Sequence, residues 1–88
     1  MNLIDAVVKN DTRAVSKLLA NGIDPNIIED EANVTPLHYA AQNNSLEAAL
    51  KLIIAGARVN AVTEDGYIPL DIAVLNGSKH IIKPLSDC

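Results

Sequence analysis

Two stretches of this chain are copies of one another at a spacing of 33 residues. Thr35-Pro36-Leu37-His38-Tyr39-Ala40-Ala41 recurs as Ile68-Pro69-Leu70-Asp71-Ile72-Ala73-Val74. A fainter copy precedes both, because Leu3, Ala6 and Val7 stand 34 residues before Leu37, Ala40 and Ala41. A second segment repeats in phase with the first: Leu18-Leu19-Ala20-Asn21-Gly22-Ile23-Asp24-Pro25-Asn26 returns as Leu52-Ile53-Ile54-Ala55-Gly56-Ala57-Arg58-Val59-Asn60. One unit of this size cannot bury its own apolar face. Stacking neighbours buries a continuous core, and about three units are the minimum for a stable stack. A conventional globule of 88 residues would be marginal by comparison, since it buries only about 60–65% of its unfolded surface. The apolar residues suit thin helical layers. They are mostly Ala, Ile, Leu and Val, with two Tyr, no Phe and no Trp.

A T-P-L-H-x-A core with a period near 33 is the pattern of one repeat class. On Thr35-Pro36-Leu37-His38-Tyr39-Ala40 and its copies, the chain resembles the ankyrin-repeat family along essentially its whole length. The resemblance implies an all-α solenoid of helix-turn-helix units joined by β-hairpin-like loops. It divides a single domain, 1–88, into units of about 1–31, 32–64 and 65–88.

Local signals place the helices. In the middle unit Thr35 caps a helix from Pro36 to Gln42, with proline at the tolerated first position. Asn43-Asn44 turns the chain. Ser45 opens a second helix, with Glu47 near its positive end. Leu46, Ala49, Leu50 and Ile53 recur at helical spacing and mark its apolar side. Gly56 ends it, Ala57 to Asn60 runs extended, and Asp65-Gly66 turns. The first unit carries helices over Leu3–Lys9 and Thr12–Ala20. It reads as a polar cap displaying Lys9, Arg13 and Lys17, and Met1 reads as a natural start. The third unit carries a helix from Pro69 to Leu75 and a turn at Asn76-Gly77. Proline inside a helix costs roughly 3 kcal/mol, so Pro84 predicts a short, irregular, fraying helix over Ser78–Leu85. Ile81, Ile82 and Leu85 pack back on the middle unit. The truncated end leaves Ile72, Ile81, Ile82 or Leu85 partly uncovered, which would permit a weak end-to-end dimer; a monomer is the alternative. The first inter-unit loop, Ile27 to Val34, holds one extra residue, and Asn33 falls where Gly66 sits in the next copy. Asparagine is the side chain that best tolerates a left-handed conformation there.

The formal net charge is −4 and the pI about 4.8. That disfavours binding to nucleic acid or anionic membranes, which takes clustered lysine and arginine. The start has no basic region ahead of its apolar residues, and no apolar run is long enough to cross a bilayer. The lone Cys88 excludes an intramolecular disulfide and reads as a terminal thiol. The last four residues lack a prenylation pattern. A cytoplasmic location fits.

Catalytic chemistry is not visible. His38 and His80 have no ligand partners at metal spacing. No glycine-rich phosphate loop or nucleophile elbow occurs, and Glu29-Asp30-Glu31 lacks the alternation and closing Glu of a calcium loop. The expectation is no enzyme, no cofactor and no metal. The family resemblance gives His38 a structural role instead, bonded to backbone and to Thr35 and tying adjacent repeats. Asp71 takes its place in the third copy and accepts backbone amides. Tyr39 packs between helices, and His80 is solvated.

What remains is a surface. In ankyrin stacks, loop tips and first helices form a concave face that holds partners. Carried onto this chain, that face comprises Asp30, Glu31 and Val34, then Glu64, Asp65 and Tyr67, with Gln42, Asn43, Leu75 and Asn76 from helix ends. Ala32, Val8 and Lys9 lie beside them. Five of the 11 acidic residues, Glu29, Asp30, Glu31, Glu64 and Asp65, fall in the two loops. Segregated charge of this kind steers a basic partner inward, and Tyr67 and Val34 supply apolar anchors among the carboxylates. The leading expectation is a protein-binding module for a basic protein partner. The alternative is a small immunity- or antitoxin-like inhibitor that blocks a partner enzyme directly.

Overall fold

The computed structural model describes residues 1–87; Cys88 lies outside them. Six helices follow in order: α1 (Leu3–Val8), α2 (Thr12–Ala20), α3 (Pro36–Asn43), α4 (Leu46–Ile54), α5 (Pro69–Asn76) and α6 (Lys79–Ser86). No strand occurs among the described residues. Each odd-numbered helix packs on the next even one, and the pairs stack through α1–α3–α5 and α2–α4–α6. The all-α stack expected from the repeats is the observed architecture.

Small residues at equivalent positions set the close spacing. Ala6, Ala40 and Ala73 form one column, each fully buried. Val7 and Ala41 are buried beside them. In the second row Val15 and Ala49 are buried, and Leu52 and Leu85 close the core below. An alanine where two backbones approach leaves no gap and loses no side-chain entropy.

Helix ends follow local chemistry. Thr35 Oγ1 accepts a bond from the His38 amide at 3.4 Å. Asp11 and Asn2 cap α2 and α1 in the same way. Gly56 takes φ +104° just past α4, a region open to glycine without a steric penalty. This lets the Ala57 amide reach back to the Leu52 carbonyl at 2.9 Å. Asn33 has φ +59°, the left-handed conformation expected from its alignment with Gly66.

Three expectations need correction. α6 is a regular helix that continues past Pro84 to Ser86. Ile81 and Leu85 are buried, and the Ser86 hydroxyl donates to the Ile82 carbonyl at 2.9 Å. Burial of about 1.5–3 kcal/mol per large apolar side chain offsets the one bond that proline removes. Second, the buried side of α4 is Ala48, Ala49 and Leu52, while Leu50 is exposed. α4 is enclosed by α2, α3 and α6, so its inward side is centred on the small residues. Third, of the residues expected to be partly uncovered Ile72 and Ile82 are half-buried but Ile81 and Leu85 are buried, and the most open apolar side chains of the third unit are Tyr67, Val74 and Leu75.

Side-chain bonds between units fix the stacking register. Asn10 donates to the Glu47 carboxylate at 2.8 Å and accepts from the Ala48 amide at 3.1 Å. Asn26 accepts from the Arg58 amide at 2.8 Å and donates to the Gly56 carbonyl at 3.1 Å. Asn44 repeats the role of Asn10, accepting from the His80 amide at 3.2 Å and meeting the His80 ring at 2.9 Å. His80 is therefore exposed but bonded, rather than simply solvated.

Candidate functional site at the loop tips

The two inter-unit loops lie side by side. The Glu64 amide donates to the Ala32 carbonyl at 2.8 Å. The second loop folds back tightly: Gly66 N–H donates to Thr63 O at 2.9 Å and Thr63 N–H to Tyr67 O at 2.9 Å. Thr63 Oγ1 accepts from the Tyr67 amide at 3.1 Å. Glu64 and Asp65 occupy the tip of this turn and are exposed.

His38 holds the loop to the helices. Its Nδ1 accepts from the Thr35 amide at 3.1 Å and lies 2.8 Å from Thr35 Oγ1. An acceptor role for Nδ1 places the proton on Nε2, which then donates to the Tyr67 carbonyl at 2.9 Å. The ring is buried, and no buried side-chain polar atom among the described residues lacks a partner. A second proton would set Nδ1–H against the Thr35 N–H. Burial holds the His38 pKa below its ordinary 6.5, opposed in part by the Tyr67 and Ala61 carbonyls.

A stability consequence follows from linkage. The contribution of neutral His38 is complete above pH 6.5, the ordinary value. As pH falls through that value toward the lower folded one, the unfolded chain binds the proton first and stability is lost. Urea midpoints at pH 7.5 and pH 5.5, buffer conditions set by that window, should show lower stability in acid. Glu47, held below its ordinary 4.5 chiefly by the Asn10 side chain, titrates beneath this range. Equal midpoints would contradict the neutral, buried ring.

Loops and first helices enclose a hollow of about 280 Å³. Its rim is Val34, Gln42, Asp65 and Tyr67, with Ala32 and Thr63; His38 and Ile72 form the deeper wall. Four residues expected at a partner face thus meet at one opening. Asp30, Glu31 and Glu64 are exposed nearby without lining it. Asp30 accepts from the Ala32 amide at 3.0 Å, which shapes its loop. Asn43 and Asn76 are also exposed, but their amides turn back onto the Tyr39 and Ile72 carbonyls at 2.8 and 2.9 Å. Leu75 belongs to a different hollow, on the outer side of α5. Tyr39 is half-buried against the core, as expected. Thr63 and Ile72 were not among the expected rim residues. The Thr63-x-x-Gly66 turn was the available sign for Thr63, whereas Ile72 reads in sequence as an ordinary helix residue.

The rim combines an aromatic ring, an aliphatic side chain, a carboxylate and an amide around an opening the size of one or two side chains. It offers no nucleophile–base pair, and no group of three or more His, Cys, Asp or Glu among the described residues could hold a metal. No helix among them is long and apolar enough to cross a membrane.

The family model described as ankyrin repeats, in three copies, matches residues 3–88. Relatives include the potassium channel SKOR of Arabidopsis thaliana, 42% identical over 85 residues, which cover 97% of this chain and 10% of the channel. Cyclin-dependent kinase 4 inhibitor B of Bos taurus is 28% identical over 82 residues, covering 93% of this chain and 63% of the inhibitor. The chain thus spans less than two thirds of the length of each. The crystal structure of the human ASB11 ankyrin repeat domain superposes with a TM-score of 0.91 at 30% identity, covering 99% of this chain and 39% of that one.

Proposed function

This chain belongs to the ankyrin-repeat family, whose repeats are protein–protein interaction modules, and on that premise we propose that it binds a basic protein partner at the loop tips. The observation that carries the reading is the hollow bounded by Val34, Gln42, Asp65 and Tyr67 beside exposed Asp30, Glu31 and Glu64. Tyr67 and Val34 provide apolar contact. The surrounding carboxylates orient a lysine- or arginine-bearing segment and raise its rate of encounter. The site performs no catalysis and takes no cofactor. Neither nucleic acid nor a lipid surface complements an acidic rim, and a cytoplasmic setting suits a chain with one cysteine.

Salt and charge reversal test this reading. Capture of a basic partner should weaken strongly between roughly 50 and 500 mM salt, as screening shortens the reach of exposed charges. The double variant Glu64→Lys/Asp65→Lys should bind about tenfold more weakly at low salt while keeping its urea midpoint. Salt-independent capture, or unchanged affinity of the variant, would remove these carboxylates from the interface.

A second reading, direct inhibition of a partner enzyme, gains support from the relative named as a cyclin-dependent kinase 4 inhibitor. Loss of a purified partner's activity on adding the chain separates an inhibitor from a passive adaptor. Turnover unchanged at saturating chain would leave the adaptor.

A further inference from the structure

The loop-tip hollow is polar at its mouth and already hydrogen-bonded within. Both nitrogens of His38, on the deeper wall, are engaged: Nδ1 with the Thr35 amide at 3.1 Å and Nε2 with the Tyr67 carbonyl at 2.9 Å. That carbonyl also accepts from the Thr63 amide at 2.9 Å. Ile72, Val34 and the Ala32 methyl complete the inner surface. Asp65 and Gln42, the exposed polar side chains of the site, stand at the rim. The walls come from the second and third units, so the hollow exists whatever stacks on the outer side of α5.

This distribution selects what can enter. An inserted side chain carries its tip deepest. A charged or polar tip would shed its water there and meet His38 and Tyr67 groups that already have partners, and a buried polar group left unpaired is strongly disfavoured. An aliphatic tip leaves water at no such cost and gains contact with Ile72, Val34 and the face of the His38 ring. The space of about 280 Å³ suits a single large aliphatic group.

Resting on the reading of the loop tips as a partner site, we propose that the hollow accepts one uncharged aliphatic side chain, of leucine or methionine size. It comes from a peptide segment whose adjacent lysine or arginine pairs with Asp65 or Glu64 at the mouth. The cation itself does not enter. Apolar insertion sets how long the complex lasts and which sequence is chosen, while the carboxylates set how fast it forms. A basic segment without the anchor is steered to the rim and released.

Random displayed peptides selected on the 88-residue chain at low salt test this. Enriched peptides should share a leucine or methionine with lysine or arginine within a few positions. Replacing that anchor by asparagine in a synthetic peptide should weaken binding at least about tenfold, at low and high salt alike. Replacing the basic residues by glutamine should weaken it several-fold and remove the salt dependence. Ala32→Leu, which adds bulk to the wall of the hollow, should weaken anchored peptides about tenfold. Gln42→Trp, at an exposed position on the rim, is the second occluding variant if Ala32→Leu does not fold. Peptides that lose affinity for Glu64→Lys/Asp65→Lys but share no aliphatic residue, or tolerate asparagine in its place, would overturn the anchor and leave the loop tips as the partner site. Peptides indifferent to the charge reversal and to both occluding variants, or no enrichment at all, would overturn both.

Discussion

His38→Ala is expected to destabilise the chain by about 3 kcal/mol or more, the largest effect of any polar substitution. The imidazole is buried and bonded at both nitrogens. Truncation leaves the Thr35 amide without its imidazole partner, leaves the Tyr67 carbonyl with the Thr63 amide alone, and opens a void between the second and third units. Water can reach the Tyr67 side, because His38 borders the loop-tip hollow, and this keeps the loss at about 3 kcal/mol rather than far above it. Asp71→Ala, at the equivalent position one repeat on, removes a cap on an exposed helix end and should cost only about 1 kcal/mol. Urea unfolding followed by circular dichroism checks both. Similar losses for the two would mean that His38 acts as a local cap and does not bridge units.

Leu52→Ala is expected to cost about 3–4 kcal/mol, the range for a large side chain removed from a close-packed site. Leu52 is fully buried, on a helix in contact with α2, α3 and α6. None of these can collapse inward without disturbing a neighbouring unit. The void therefore remains, and its cost adds to the lost transfer energy. Small domains carry only about 5–15 kcal/mol in all, so this variant should lose a large share of its stability and unfold at a clearly lower urea concentration. Leu50→Ala, two residues away on the same helix but exposed, should lie within about 1 kcal/mol of the parent. Equal costs at the two positions would contradict the observed orientation of α4.

These contrasts also mark what could be read from residues alone. The repeated Pro-Leu-x-x-Ala segments placed α3 and α5 to within one residue of their observed ends, because capping and proline chemistry act locally. Asn33 was legible for the same reason, as a left-handed position filled by a residue that tolerates it. Pro84 misled, since the rule for proline describes an isolated helix, while Ile81 and Leu85 anchor α6 from both sides of it. The apolar side of α4 was misplaced by choosing the larger side chains. Where three helices converge, alanines occupy the closest approaches and a leucine can face outward.

The site was legible in part. Alignment of the loops with a helix end brought Val34, Gln42, Asp65 and Tyr67 together in expectation, and the fold sets them around one opening. Asn43 and Asn76 stand at the ends of α3 and α5, the position that marks them as partner-facing. Their preference for their own backbone carbonyls depends on a rotamer that a sequence does not specify. Val74 stands where Val7 and Ala41 are buried by the next first helix, and among the described residues no such helix follows α5, so its openness does not show in the local pattern.

Amide chemical-shift mapping with a captured basic partner tests the central claim most directly. The loop-tip account predicts the largest shifts at residues 63–67 and 32–34, with smaller ones at Gln42. Shifts confined to the outer sides of α2, α4 and α6, with both loops unchanged, would contradict it.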